Sequence, residues 1–493
     1  CIRDRNLHPI QSIYNIVENI RGNFAFIIDL QDSILAVVDR IRSYPIYYSH
    51  ENSVLISNSE EHFKSCFDKL SMLELRMSGF VVNNKTLCKN IFQLLPGEFF
   101  LYKKNSCEHY RKRYYQFPVN SKKLSSKSED DLLNELHNLH LTIFSEIIES
   151  LDGRPVWIPL SGGLDSRFIL AMFLECGYKN LTTFSYGVKN FWEIKRARKI
   201  ANFACIKWHA LIYKPYETRK YFYTKEREDY YSFASSINAV PAMNDYYAII
   251  KMKNSGLIPH NAVFINGQTG DFITGGHIPD IQNGECKVEY LLKKIIDKHY
   301  SLWAQLKTKK NIQKITNEIL SVLNLKIDDQ ISKDDFVKYY EYFEWQERQC
   351  KFVINGQRVY EWFGYEWKLP LWDERLMSFW DGVPWEMKAK QKLFKKYLEV
   401  YNPAFLFDKD WSATDYNHIP LFLRVATSIS KKIIPTYNFQ ENFVNYYSTY
   451  SAYHPQKNYW QYLKESKGSR NVVSFHAKMI ADNALQNECN SCK

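Results

Sequence analysis

No stretch of this sequence runs to the ~20 consecutive apolar residues that a membrane span needs, although hydrophobic residues make up 45% of the chain. The opening, Cys1-Ile-Arg-Asp-Arg-Asn, is polar and mixed in charge with no apolar stretch behind it, so it does not read as a secretory leader. There is no initiator Met, which points to processing or to a fragment. The ten cysteines are scattered along the chain instead of crowded into a short one, which argues for reduced thiols in a cytoplasm. Cys489 and Cys492 have metal-ligand spacing but no second pair near them, so a tail explains them better. The net charge of +11 is spread without a long basic run, and the 16% of aromatic residues follow no basic groove pattern. Nucleic acid and membrane are therefore not expected partners. Internal repeats are missing too. What remains is a soluble, cytoplasmic chain of 493 residues, enough for roughly two to four domains.

Chemistry is concentrated in Ile158-Pro-Leu-Ser-Gly-Gly-Leu-Asp-Ser-Arg-Phe-Ile-Leu170. The apolar run Pro155 to Leu160 reads as a buried strand, and Arg167 to Cys176 reads as a helix stopped by Gly177. The junction is a strand-to-helix turn, where the first helical amides lack internal partners and the helix dipole favours an anion. Gly162 and Gly163 let the backbone approach that anion, while Ser161 and Ser166 add hydroxyls. A glycine turn with a serine cap would explain a loose glycine pair, but the full string Ser161-Gly-Gly-Leu-Asp-Ser166 resembles the pyrophosphate loop of the PP-loop ATP pyrophosphatases. It lacks the lysine of the other common phosphate loop. The resemblance implies cleavage of ATP to AMP and pyrophosphate.

Along the chain, short strand-like runs fall at 23–28, 34–38, 45–48, 54–56 and 98–102, which predicts a β-rich domain over 1–115. The polar segment 116–128 reads as a linker, and 129–493 as a second domain. There, after a helix over 129–151, strands alternate with helices, which predicts a parallel sheet. A second strand, Leu181 to Ser185, ends at Tyr186-Gly187, and a helix over 193–204 and a strand over 206–213 follow. Strand carboxyl ends are where ligands sit in such sheets, so Ser185 and Gly187 are nucleotide-binding candidates.

A second glycine-rich loop, Asn266-Gly-Gln-Thr-Gly-Asp-Phe-Ile-Thr-Gly-Gly-His277, follows the apolar strand Val263-Phe-Ile. With the first loop it resembles the asparagine synthetase branch, whose second signature reads Ser-Gly-x-Gly-x-Asp-Glu-x-x-Gly-Gly. Asn266 stands for the serine, Gly267 for the first glycine and Asp271 for the aspartate. Arg358 to Asp373 resembles that branch's helical block, with Glu366, Lys368, Pro370 and Asp373 in matching places. Gly22-x-Phe-Ala-Phe, Asp39-Arg40, Pro45-Ile-Tyr-Tyr48, Ser57-Asn-Ser-Glu60 and Leu95-Pro-Gly-Glu98 resemble the second half of its N-terminal-nucleophile glutaminase. The implied fold is α/β: a partial N-terminal-nucleophile-type β-rich domain, then a PP-loop (adenine nucleotide α-hydrolase-like) doubly wound parallel sheet with a helical C-terminal part.

That resemblance implies an ATP- and Mg²⁺-dependent ligase or amidotransferase that adenylates a carboxylate and passes the acyl group to ammonia or an amine. Aspartate is the default acceptor. Asp165 and Asp271 would join Mg²⁺, and Lys409 is the candidate cation from the C-terminal part. Two departures leave the acceptor open. Gln268 stands where the family carries a glutamate used at amine attack, and an amide is no base; Phe272 replaces an acidic neighbour of the aspartate. Another carboxylate, such as a sugar acid of a surface polysaccharide, a lactam or peptide ring closure, or a non-catalytic nucleotide-binding relative are the other readings. Cys1 is followed by Ile2 where the family has glycine, and few residues precede Gly22, so ammonia use without glutamine hydrolysis is expected. A homodimer stays open as an assembly.

Overall fold

Apolar side chains on both faces of one strand decide the N-terminal architecture. In the computed structural model, which describes residues 9–50, 54–59, 62–63, 66–118, 127–188, 191–235, 237–281, 286–408 and 459–491, an antiparallel sheet runs in the order β1 (Ala25–Asp29), β2 (Ser33–Val38), β6 (Glu98–Lys103), β7 (His109–Arg113). A second runs β4 (Leu55–Ser57), β3 (Tyr47–Ser49), β5 (Phe92–Gln93). Strand side chains alternate between faces. Leu35 and Val37 accordingly pack with Phe99, Leu101 and helix α1 (Pro9–Val17), while Ala36 and Val38 pack with Ile46, Tyr48 and Phe100.

Helix α2 (Lys69–Ser78), capped by the Asp68 carboxylate and ended by Gly79 at φ +90°, leaves this pair of sheets. Its Met72 and Leu75 join Phe475, Ala477 and Ala481 of the C-terminal helix Val472–Ser491. Met77, Phe80 and Val82 enter a core built by Val288, Leu291, Ile295 and Phe343. A segment within residues 1–115 thus packs into the later helices.

Helix α3 (Glu129–Leu151) opens with a capping box between Ser128 and Asp131 and leads to β8 (Val156–Pro159). Helix α4 (Leu164–Glu175), β9 (Leu181–Val188), helix α5 (Trp192–Phe203), β10 (Lys207–Tyr213) and β11 (Val263–Ile265) follow. The antiparallel pair of β12 (Cys286–Lys287) and β13 (Gln330–Ile331) forms a separate two-stranded sheet. The last strand, β14 (Glu366–Lys368), completes a five-stranded sheet in the order β10-β9-β8-β11-β14, parallel throughout. Chain order proceeds outward from β8 through β9 to β10, then returns to β11 on the other side of β8. The switch between β8 and β11 opens a crevice at their carboxyl ends, the position where such sheets bind ligands.

The block Arg358 to Asp373, expected as helical, is α-helical only over Arg358–Trp362, with a single 3-10 turn at Pro370–Trp372. Gly364 at φ +82° turns the chain, its amide bonding back to the Glu361 carbonyl at 2.9 Å, a left-handed helix stop. Glu366–Lys368 then pairs with β11, burying Trp367. Among the described residues no helix is long and apolar enough to cross a membrane.

Candidate active site

Both glycine-rich loops emerge at the switch. After β8 the Ser161 amide donates to Ser166 Oγ at 3.0 Å, the two hydroxyls lie 2.9 Å apart, and the Gly163 amide donates to Ser161 Oγ at 3.2 Å. The serine pair therefore pins the loop at the start of α4, whose N-cap, Gly163, brings no side-chain cap. Gly162 also meets a packing demand: a Cβ there would stand 2.7 Å from Arg196 Cδ and 2.8 Å from Trp192 Cζ3. Arg196, from α5, stacks on Trp192 and donates to the Gly162 carbonyl at 2.8 Å.

The loop after β11 lies directly on the start of α4. A Cβ on Gly267 would stand 2.7 Å from the Asp165 carbonyl carbon and 2.8 Å from the Ser166 amide nitrogen. The Asp271 amide donates to Asp165 Oδ2 at 3.1 Å, and Asp165 Oδ1 is buried without a partner. Burial, followed by the charge of Asp271, pushes the Asp165 carboxyl up to about 7. Burial acts on Asp271 in the same sense but is outweighed by the bond to and charge of His277, which leave its carboxyl below the usual range.

Ser161, Asp165, Ser166, Gly267, Gln268, Asp271, His277 and Arg348 line one cleft of about 410 Å³. A larger cavity of about 880 Å³, between β1, residues 44–47 and Arg358–Trp362, holds no residue of either glycine-rich loop; residues of the N-terminal motifs, Phe26, Pro45, Asn58 and Ser59, and of the Arg358 block line it instead. Concentrated chemistry, not size, marks the site. Gln268 sits in the cleft wall with Oε1 accepting from Gln357 Nε2 at 2.5 Å, an amide held by an amide. Tyr186 and Asp245 complete the same wall, with the phenols of Tyr186 and Tyr360 both donating to the Asp245 carboxylate.

Two nucleotide-binding candidates stand back from it. Ser185 Oγ donates to the Leu160 carbonyl at 2.6 Å and accepts from Trp208 Nε1 at 2.9 Å, so its hydroxyl is committed to tying β9 to the end of β8. Gly187 pairs with Ile212 in the sheet, one residue beyond the cleft-lining Tyr186. Lys409 lies outside the described residues, as does Cys1.

Arg348 and His277 were not singled out by sequence. Arg348 is on a π-wound turn, Glu344–Val353, and no motif marks it. His277 ends the second glycine loop; its Nε2 lies 3.1 Å from Asp271 Oδ2 and its Nδ1 3.0 Å from Glu344 Oε2.

The orphaned Asp165 oxygen beside a second carboxylate suits a divalent cation. Among the described residues no cluster of three or more His, Cys, Asp or Glu could hold one alone. Mg²⁺ commonly takes one or two carboxylates and completes its shell with water and substrate phosphates, so the pair fits that ion in the company of a nucleotide.

A parallel-sheet nucleotide-type crevice with paired acidic residues is the class that fold and site define. The asparagine synthase family is matched over residues 150–404, and the chain belongs to that family. It is 22% identical over 445 residues, 85% of this chain and 71% of the relative, to asparagine synthetase [glutamine-hydrolyzing] 3 of Bacillus subtilis (strain 168). A 56-residue stretch, 11% of this chain and 24% of the relative, is 48% identical to 7-cyano-7-deazaguanine synthase of Microcystis aeruginosa (strain NIES-843 / IAM M-2473). Family membership makes the chain an ATP-dependent amide-forming ligase or amidotransferase in type.

Proposed function

We propose that the chain uses ATP to adenylate a carboxylate, releasing pyrophosphate, and passes the acyl group to ammonia or an amine, releasing AMP. The observation that carries this is the meeting of Asp165 and Asp271 at the start of α4, beside a serine-pinned loop with no phosphate-loop lysine. A free carboxylate would have to expel oxide; as an acyl-adenylate it expels AMP. The amides of the first turn of α4 bind the pyrophosphate oxygens. The Ser161–Ser166 pair keeps that turn in shape, and Arg348 opposes the charge that builds as pyrophosphate departs. Mg²⁺, held by Asp165 and Asp271 when bound, would supply Lewis-acid neutralisation of the phosphates.

Aspartate is the default acceptor. The Gln268–Gln357 amide pair offers no base at the family's glutamate position and favours keeping a second acceptor class in play, a sugar acid or a carboxylate that closes a lactam or peptide ring. The test is ATP–pyrophosphate exchange with Mg²⁺ across a panel of carboxylic acids, aspartate and uronic acids included. Exchange with one of them, and AMP in place of ADP, supports the reading. ADP and orthophosphate as main products would sink it; tight ATP binding without exchange for any acid would favour a non-catalytic relative.

A further inference from the structure

The π-wound turn Glu344–Val353 carries two buried charge networks that serve different neighbours. The first reaches the cleft. Glu344, fully buried, has Oε2 3.0 Å from His277 Nδ1 and Oε1 2.5 Å from Lys298 Nζ and 2.8 Å from His299 Nε2. The other nitrogen of His277 lies 3.1 Å from Asp271 Oδ2. A ring bonded at both nitrogens has its orientation fixed, and so does the carboxylate it meets.

The second network reaches the N-terminal part of the chain. Glu347 and Lys351, both wholly buried, form an ion pair at 2.5 Å. Glu347 accepts from the Asn83 amide through both oxygens, at 3.1 and 3.0 Å. Lys351 donates to the carbonyls of Val81 at 3.1 Å and Asn83 at 2.5 Å. Burying two charges is costly unless their remaining hydrogen-bonding groups are satisfied, and here main-chain groups of residues 81–83 do so. The pair is therefore specific for the placement of that segment. Since both networks hang on one short turn, a shift of residues 81–83 is a shift of Glu344.

We infer that this turn is a positioning device joining residues 81–83 to the cleft, in which Glu344 and His277 are positioning residues that hold the Asp271 carboxylate. The inference rests on the reading that Asp271 faces the phosphates of a nucleotide and their cation. It deepens that reading by making the N-terminal part a structural determinant of metal-dependent nucleotide binding.

The experiment measures binding of Mg²⁺·ATP, and of ATP in EDTA, by calorimetry on the full chain without acceptor, with thermal melting alongside. His277→Leu is expected to weaken Mg²⁺·ATP about tenfold or more, the usual scale for loss of a ligand's supporting partner, with little change for ATP in EDTA. His277→Gln, which keeps a donor for Asp271, should recover most of the affinity. The double variant Glu347→Gln/Lys351→Met removes both charges together and so leaves neither buried alone. It should remain folded and lose Mg²⁺·ATP affinity several-fold. Unchanged Mg²⁺·ATP binding by His277→Leu overturns the role of His277. A double variant that melts lower yet binds Mg²⁺·ATP like the wild type overturns the link to residues 81–83. Equal weakening of both ligand forms, in any variant, means general loss of structure and overturns positioning as the cause. Failure of the wild type to bind either form would overturn the functional reading itself, and this inference with it.

Discussion

Asp165 and Asp271, 106 residues apart in the chain, are joined by a 3.1 Å hydrogen bond from the main-chain amide of Asp271 to the Asp165 carboxylate. One side chain starts the helix after β8 and the other starts the short helix Gly270–Ile273 after β11. Their contact closes one side of the candidate site at the gap between two sheet strands.

Asp165→Asn keeps the shape of the side chain and removes its charge. Exchange of pyrophosphate into ATP is expected to fall by about 10²-fold or more, the scale for losing a group that stabilises transferring charge, with far-UV circular dichroism unchanged. Wild-type exchange in the folded variant would rule out the metal role. Asp271→Asn should behave in the same way.

Ser161→Ala is expected to cost less. Its hydroxyl bonds Ser166 Oγ and the Gly163 amide, so it shapes the loop, while the main-chain amides proposed to hold the phosphates remain. A loss of exchange as deep as that of Asp165→Asn would show that the hydroxyl itself contacts the nucleotide.

Gly267→Ala tests the contact between the loops. The added methyl would stand 2.7 to 2.8 Å from main-chain atoms of Asp165 and Ser166, closer than such atoms approach, and neither is the end of a flexible side chain. The loops must separate, and ATP affinity should drop severalfold or more. Unaltered affinity would mean that their spacing does not matter to the site.

His140 gives a pH signature unconnected with catalysis. It is buried between the rings of Phe168 and Tyr397, and burial lowers its pKa from 6.5 to about 3. Above pH 6.5 neither folded nor unfolded chain is protonated there, so the stability is intact. As pH falls from 6.5 towards 3 the unfolded chain takes up a proton that the folded one refuses, costing about 1.4 kcal/mol per pH unit at most. Thermal melts should show this decline, and His140→Phe should flatten it; an unchanged pH slope in the variant would contradict the assignment.

The first loop was legible because its chemistry is consecutive: strand, serine, glycines, aspartate and helix follow one another without a gap. The strands flanking it were legible from their apolar runs. β7 was not, since His-Tyr-Arg-Lys-Arg offers no apolar alternation; it is an edge strand, where charged side chains are the rule. β14 was hidden by an aromatic block that reads as helix until Gly364 turns it. His277 and Glu344 are 67 residues apart and Arg348 belongs to no motif, so only the folded arrangement makes them neighbours. Gln268, by contrast, was visible as a departure from the family's pattern, and the partner that holds it, Gln357, was not.

The π-wound turn sets a rule for length. Its side chains alternate between two sets of neighbours by angular phase, so inserting or deleting a single residue between 344 and 351 would rotate everything after it by roughly a quarter of a turn. Glu347 or Lys351 would then swing away from Asn83 while Glu344 stayed on His277. Substitutions along this turn can be graded by chemistry; a change in its residue count breaks the phasing whatever residue is added.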